Sequence, residues 1–209
     1  MRYSEMVAFE KTRRLASAPE RAPMGRGVWW VLAGLVALGF LLGACSRTEY
    51  RNTAVEMTTV GQVDLTRYAG RWYEIARFPN SFEEGCFAVT ADYSLNADGS
   101  VKVVNTCRKG ALNGPVEVAE GRATKSRPEG DRLRVGFVEW LPFAAGDYWI
   151  LALDEDYQVA VIGNPAGTTG WVLARSSAIP QDRLQAAYAV LRANGYDVSR
   201  MTLTPQNAQ

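Results

Sequence analysis

The chain has 209 residues, 23 Lys and Arg against 22 Asp and Glu, three cysteines and no histidine. That is an ordinary length for one globular domain, and a formal net charge of +1 argues against a nucleic-acid binder, which normally carries a basic excess. Without histidine there is no Ser-His-Asp or Cys-His unit and no histidine-ligated metal, and three cysteines cannot complete a four-cysteine zinc site. What remains is carboxylate or lysine chemistry, or binding without chemistry; no cofactor and no metal are expected.

The first feature in chain order is Arg26 followed by 17 uncharged residues, Val28 to Ala44, ending in Leu42-Gly43-Ala44-Cys45. A basic start, an apolar stretch and small residues at the cut make a signal peptide over residues 1–44, and the run is slightly short for a membrane-spanning helix. Residues 1–23 carry charges of both signs and read as an over-extended start, with Met24 as a second possible start, or as a tolerated extension. Leu-Gly-Ala-Cys resembles a bacterial lipobox, which implies cleavage after Ala44, lipidation of Cys45 and, with Ser46 next, a lipid anchor on the periplasmic face of the outer membrane. More than one acyl chain is needed for stable anchoring. Removing 6 basic and 3 acidic residues leaves 17 against 19, so the body gains no attraction to anionic lipid and hangs by its anchor, with residues 45–59 as linker and 60–209 as the folded domain.

With Cys45 lipidated, Cys86 and Cys107 remain in an oxidising compartment, where a disulfide is the expectation. They lie on either side of the turn Asn96-Ala97-Asp98-Gly99, Cys86 10 residues before Asn96 and Cys107 10 residues after Ala97, so a hairpin brings them near each other. Alternation places Cys107 on the inward face of its strand and Cys86 on the outward face, so the bridge requires a bulge or a strand end that leaves the sheet.

Eight strands follow one another with turn chemistry between them: Trp72–Phe78, Phe87–Leu95, Val101–Thr106, Val116–Ala123, Arg132–Val138, Tyr148–Leu153, Gln158–Ile162 and Trp171–Arg175. Phe87, Val89, Ala91, Tyr93 and Leu95 alternate with Thr90, Asp92 and Ser94, and the third and fifth strands repeat the pattern, so each wall reads as apolar inside and polar outside. One helix starts at Pro180, runs through Leu184, Ala187, Tyr188 and Leu191, and stops at Asn194-Gly195.

Gly70-Arg71-Trp72-Tyr73, Glu120-Gly121-Arg122-Ala123, Asp147-Tyr148-Trp149-Ile150 and Trp171-Val172-Leu173-Ala174-Arg175, in this order over about residues 60–205, resemble the lipocalin family, in particular bacterial outer-membrane lipocalins and apolipoprotein D relatives. The resemblance implies an all-β fold: an eight-stranded antiparallel up-and-down barrel with one C-terminal helix packed outside and a cup open at one end. It implies that Trp72 and Arg175 close the other end, a cation–π contact worth about 0.5–2 kcal/mol, with Gly70 allowing close chain approach.

Eight strands leave room for one small ligand. The inward residues Tyr93, Val103, Asn105, Leu133, Val135 and Phe137, with Trp171 added by the family match, make an apolar pocket in which Tyr93 and Asn105 are candidates to orient a ligand. Trp140, Leu141, Pro142 and Phe143 follow in a loop that could line the mouth, touch membrane or pack as an ordinary loop. The apolar interior and the anchor point to non-catalytic binding, and the resemblance implies the ligand class, a fatty acid, lysophospholipid or similar amphiphile, bound for lipid storage, transport or membrane maintenance. An enzyme on the same barrel is one alternative, for which Glu74 and Glu120 could be a carboxylate pair, and a structural or scavenging lipoprotein acting through a protein partner is the other.

Overall fold

The computed structural model describes residues 48–137 and 145–207. The leader, Cys45 and the segment Trp140–Phe143 lie outside the described residues.

Eight strands, β1 (Gly70–Arg77), β2 (Cys86–Leu95), β3 (Val101–Lys109), β4 (Val116–Lys125), β5 (Arg132–Gly136), β6 (Gly146–Leu153), β7 (Val159–Gly163) and β8 (Gly170–Ala174), each pair antiparallel with the next, and β1 pairs with both β8 and β2. The sheet is therefore a closed up-and-down barrel. A ninth strand, β9 (Thr202–Leu203), adds to β1 at Ala76 and Arg77. A short helix α1 (Leu65–Tyr68), started by the Asp64 side chain accepting from the Thr66 N–H, precedes β1, and helix α2 (Gln181–Ala193) follows β8. The fifth strand ends at Gly136; the expected end at Val138 falls outside the described residues.

The outer walls of β2 to β5 face water as expected, although Val116 and Val118 make that of β4 partly apolar, and the expectation of polar outer walls fails for β1 and β6 to β8. Ile75, Ala76, Leu151, Val161, Val172 and Ala174 point outward and are buried, because Leu184, Ala187 and Leu191 of α2 and the aromatic residues Tyr50, Phe78 and Tyr196 cover them. These strands are apolar on both faces, as strands packed on both sides must be. The segment expected to be a linker is also packed from Tyr50 onward: the Tyr50 N–H donates to the Gly167 carbonyl, the Asn52 N–H to the Gly195 carbonyl, and the buried Arg51 guanidinium to the Asn194 and Pro165 carbonyls.

Three irregularities set which side chains point inward. The β1–β8 register shifts between Glu74 and Ala76, the β6–β7 register between Ile150 and Ala152, and the β2–β3 register between Phe87 and Thr90, where Ala88 has φ +46°. The last is the bulge that the cysteine parity demands. It puts Cys86 on the side of Cys107, and the two form a disulfide with Cα atoms 5.4 Å apart, buried with Val89.

The β1–β2 ladder stops at Tyr73 and Thr90, and beyond it the C-terminal segment occupies the seam. The Thr204 N–H donates to the Ile75 carbonyl, the Ala88 N–H to the Pro205 carbonyl, and the Gln206 amide to the carbonyls of Glu74 and Val89. Truncation after Leu203 removes these bonds at about 0.5–1.5 kcal/mol each. The expected result is a loss of about 2–6 kcal/mol in chemical denaturation together with loss of hydrogen-exchange protection at Ala88; retained protection there would mean that the tail does not seal the seam.

Candidate functional site

The closed end is built around Trp72, which is fully buried. Its indole N–H donates to the Tyr68 carbonyl at 2.8 Å, and the Arg175 guanidinium lies 4.0 Å above its ring. Arg175 also donates to the carbonyls of Arg67, Tyr68, Ala69, Arg71 and Tyr157. One planar cation thus satisfies the C-terminal carbonyls of α1 and stacks on an aromatic face, a combination that the point charge of lysine does not reproduce. Gly70 has φ +94°, and a β-carbon there would sit 3.2 Å from an Arg175 nitrogen, so glycine answers both the backbone conformation and the space. Arg175→Lys should lower stability by about 2–3 kcal/mol, because several carbonyls lose a charge-assisted donor; equal urea midpoints for the two proteins would show that the stack does not hold this end together.

Above this floor, Tyr93, Val103, Leu133, Val135 and Trp171 belong to one interior cluster with Trp72, Ile150, Ile162 and Leu173. Asn105 and Phe137 stand apart from that cluster. Asn105 is half-buried, opposite Ala91 and Ala119, and among the described residues no hydrogen bond engages its amide. Phe137 is 45% exposed. Its ring lies over Gly121, where a β-carbon would come within 2.8 Å of it, so it sits on the inner side near the rim. The inner face of β4 is lined by the small residues Ala119, Gly121 and Ala123, which register opposite Asn105, Val103 and Val101.

The interior is more polar than alternation predicts. The Tyr148 hydroxyl lies 2.8 Å from that of Tyr68 and 3.2 Å from that of Tyr93. Burial raises all three pKa values, Tyr93 to about 12, so the hydroxyls stay neutral and can donate. Higher on β1, Glu74 faces inward by alternation with Trp72 and the register shift turns Arg77 inward as well, so the two lie opposite Leu173 and Trp171. Strict alternation would send Arg77 outward, and for that reason this ion pair is not legible in the sequence. The Arg77 guanidinium donates to the Glu74 carboxyl group at 2.5 Å, to the Thr204 hydroxyl, and to the carbonyls of Glu83 and Cys86 in the β1–β2 loop; Thr204 also hydrogen-bonds Glu74. Glu120 instead lies exposed on the outer face of β4 with Lys102 2.9 Å away, so Glu74 and Glu120 do not form a carboxylate pair.

Glu74 is 2% exposed. Loss of water and the nearby Glu83 carboxylate push its pKa from 4.5 up to about 8, against the pull of Arg77 and Thr204. The unfolded chain loses this proton near 4.5 and the folded protein near 8, so stability should fall as the pH rises through that window, by at most about 1.4 kcal/mol per pH unit. The chain has no histidine to add a slope of its own within that window. Urea denaturation across it should show this slope in the native protein and little slope in Glu74→Gln; the same slope in both would assign the proton elsewhere.

A family model for the lipocalin-like domain matches residues 63–206. The chain belongs to the lipocalin family. This lipocalin is 37% identical over 179 residues to the outer membrane lipoprotein Blc of Escherichia coli K12, covering 84% of the chain and 96% of that protein. It is 37% identical to temperature-induced lipocalin-1 of Arabidopsis thaliana over 73% of the chain and 84% of the relative, and 35% identical to apolipoprotein D of Cavia porcellus over 84% and 92%. Among solved structures, insecticyanin from the tobacco hornworm Manduca sexta superposes with a TM-score of 0.57 at 19% identity, covering 76% of this lipocalin and 87% of that chain, which is a likeness of fold.

Proposed function

We propose that the protein is a lipid-anchored carrier that takes a fatty acid, a lysophospholipid or a similar amphiphile into its cup at the periplasmic face of the outer membrane. The observation that carries this reading is the change in exposure down the inner wall. Trp72 and Val103 at depth are buried, Asn105 is half-buried, and Ala119 and Phe137 nearer the rim are exposed although their register faces them inward. Solvent therefore reaches into the upper barrel, where apolar walls suit a chain and Asn105 suits a polar group next to its head. The lipobox-like Cys45 and the match to an outer membrane lipoprotein support the anchor and its location. Family membership and the separation of Glu74 from Glu120 favour binding without catalysis.

A surface role has one observation of its own: Val116 and Val118 are 52% and 57% exposed on the outer face of β4, where a protein partner could dock. The two readings part on occupancy of the cup. Val135→Trp should fill the interior beside Ala123 and exclude a long acyl chain while the barrel stays folded. Arg134→Gln, at an exposed outward position, should bind like the native protein. Asn105→Leu should weaken polar-headed amphiphiles by about 1–3 kcal/mol. Fluorescence titration with a fatty-acid probe and a lysophospholipid competitor, with circular dichroism as folding control, reads all three. A folded Val135→Trp protein that binds both as the native protein does would defeat the cup and promote the outer surface.

A further inference from the structure

The β1–β2 loop, residues 78–85, turns back over the mouth of the barrel and places the Glu83 carboxylate against the inner wall. Its Oε2 accepts from the Trp171 indole N–H at 3.1 Å and from the Asn80 amide at 2.5 Å. Both donors are neutral, and among the described residues no cation pairs with this carboxylate. Arg77 reaches the same loop, but its N–H groups go to the Glu83 and Cys86 carbonyls, the Thr204 hydroxyl and the Glu74 carboxyl group. Lys109, whose stem passes Gly85, pairs with Glu117.

Around the carboxylate stand aromatic faces. Phe82, 62% exposed beside it in the loop, has its ring centroid 6.3 Å from that of Trp171. Tyr148 lies 6.5 Å from Trp171 on the deeper side, and Tyr93 lies 6.4 Å from Tyr148. A half-buried carboxylate without a cation, bordered by π faces, has the chemistry that holds an ammonium or quaternary ammonium group. The same surroundings oppose a free carboxylate, which would meet Glu83 as a like charge and find the Arg77 donors already engaged.

We propose that Glu83, Trp171 and Phe82 form a head-group site at the mouth of the cup, selective for single-chain amphiphiles with an ammonium-bearing head over fatty acids of equal chain length. The proposal rests on the cup reading above and narrows it, since the acyl chain must run down past Val135 and Val103 for the head to arrive at Glu83. Phe82 is exposed because it forms the outer wall of a site that a ligand completes.

Three probes of one chain length separate the two claims: dodecanol, dodecanoate and dodecyltrimethylammonium, each titrated at about pH 7 against the full protein by displacement of a neutral fluorescent probe. Dodecanol reports the cup alone. Dodecyltrimethylammonium should bind about 10-fold tighter than dodecanoate, on the scale of a desolvated cation–π contact. Glu83→Gln, which keeps an oxygen for Trp171 and Asn80, should bring that ratio to within about 3-fold and leave dodecanol affinity unchanged. Glu84→Gln, which removes the neighbouring exposed carboxylate, should leave the ratio as it is. Dodecanol binding with no preference for the cation, an unaltered ratio in Glu83→Gln, or an equal fall in Glu84→Gln would overturn the head-group site and spare the cup. Failure of all three probes to bind would remove the cup itself.

Discussion

The stack of Arg175 on Trp72 joins the two ends of the strand sequence. Trp72 comes from the first strand and Arg175 from the residue after the last, so their contact can form only when the sheet has closed on itself. The guanidinium then reaches the carbonyls at the end of α1, which lies across the same opening. Closure, the floor of the cup and the seating of the segment before β1 therefore depend on one cation held by an aromatic face and several backbone oxygens. The side chain is half-buried, and loss of water lowers its pKa. That position is tolerable because the carbonyl oxygens replace much of its hydration.

What alternation can report decided which parts of the fold were legible. The eight strands, the helix and the disulfide follow from period-two patterning, turn residues and cysteine arithmetic, since each is written in local sequence. The conflict between the parities of Cys86 and Cys107 called for a bulge or a strand end that leaves the sheet, and the structure has the bulge, at Ala88. Bulges without a paired marker leave no such trace. The shift in β1 reverses the inward side after Ile75, so the Glu74–Arg77 pair was hidden. Likewise Val161, Val172 and Leu151 point outward into a second core that exists only once α2 and Phe78 have arrived.

The site shows the same division. Val103, Leu133 and Val135 were readable because each sits in a regular stretch. Tyr148 and Glu83 were not, because the first acts through hydroxyls brought together by tertiary packing and the second belongs to a loop with no periodicity. The polar atoms of the interior consequently fall in two groups that sequence could not separate: a neutral hydroxyl cluster deep in the barrel, and an ionisable collar where the β1–β2 loop and the C-terminal segment meet the rim.

The double-sided packing of β1 and β6–β8 makes the barrel mechanically lopsided. Those strands are clamped between the interior and α2, whereas β2 to β5 have packing on one face and water on the other. A guest of unusual girth would push against both halves, and the half without outer support has less packing to resist it. Any widening of the vessel should therefore fall on that wall, with the helix and the segments packed against it bracing the other.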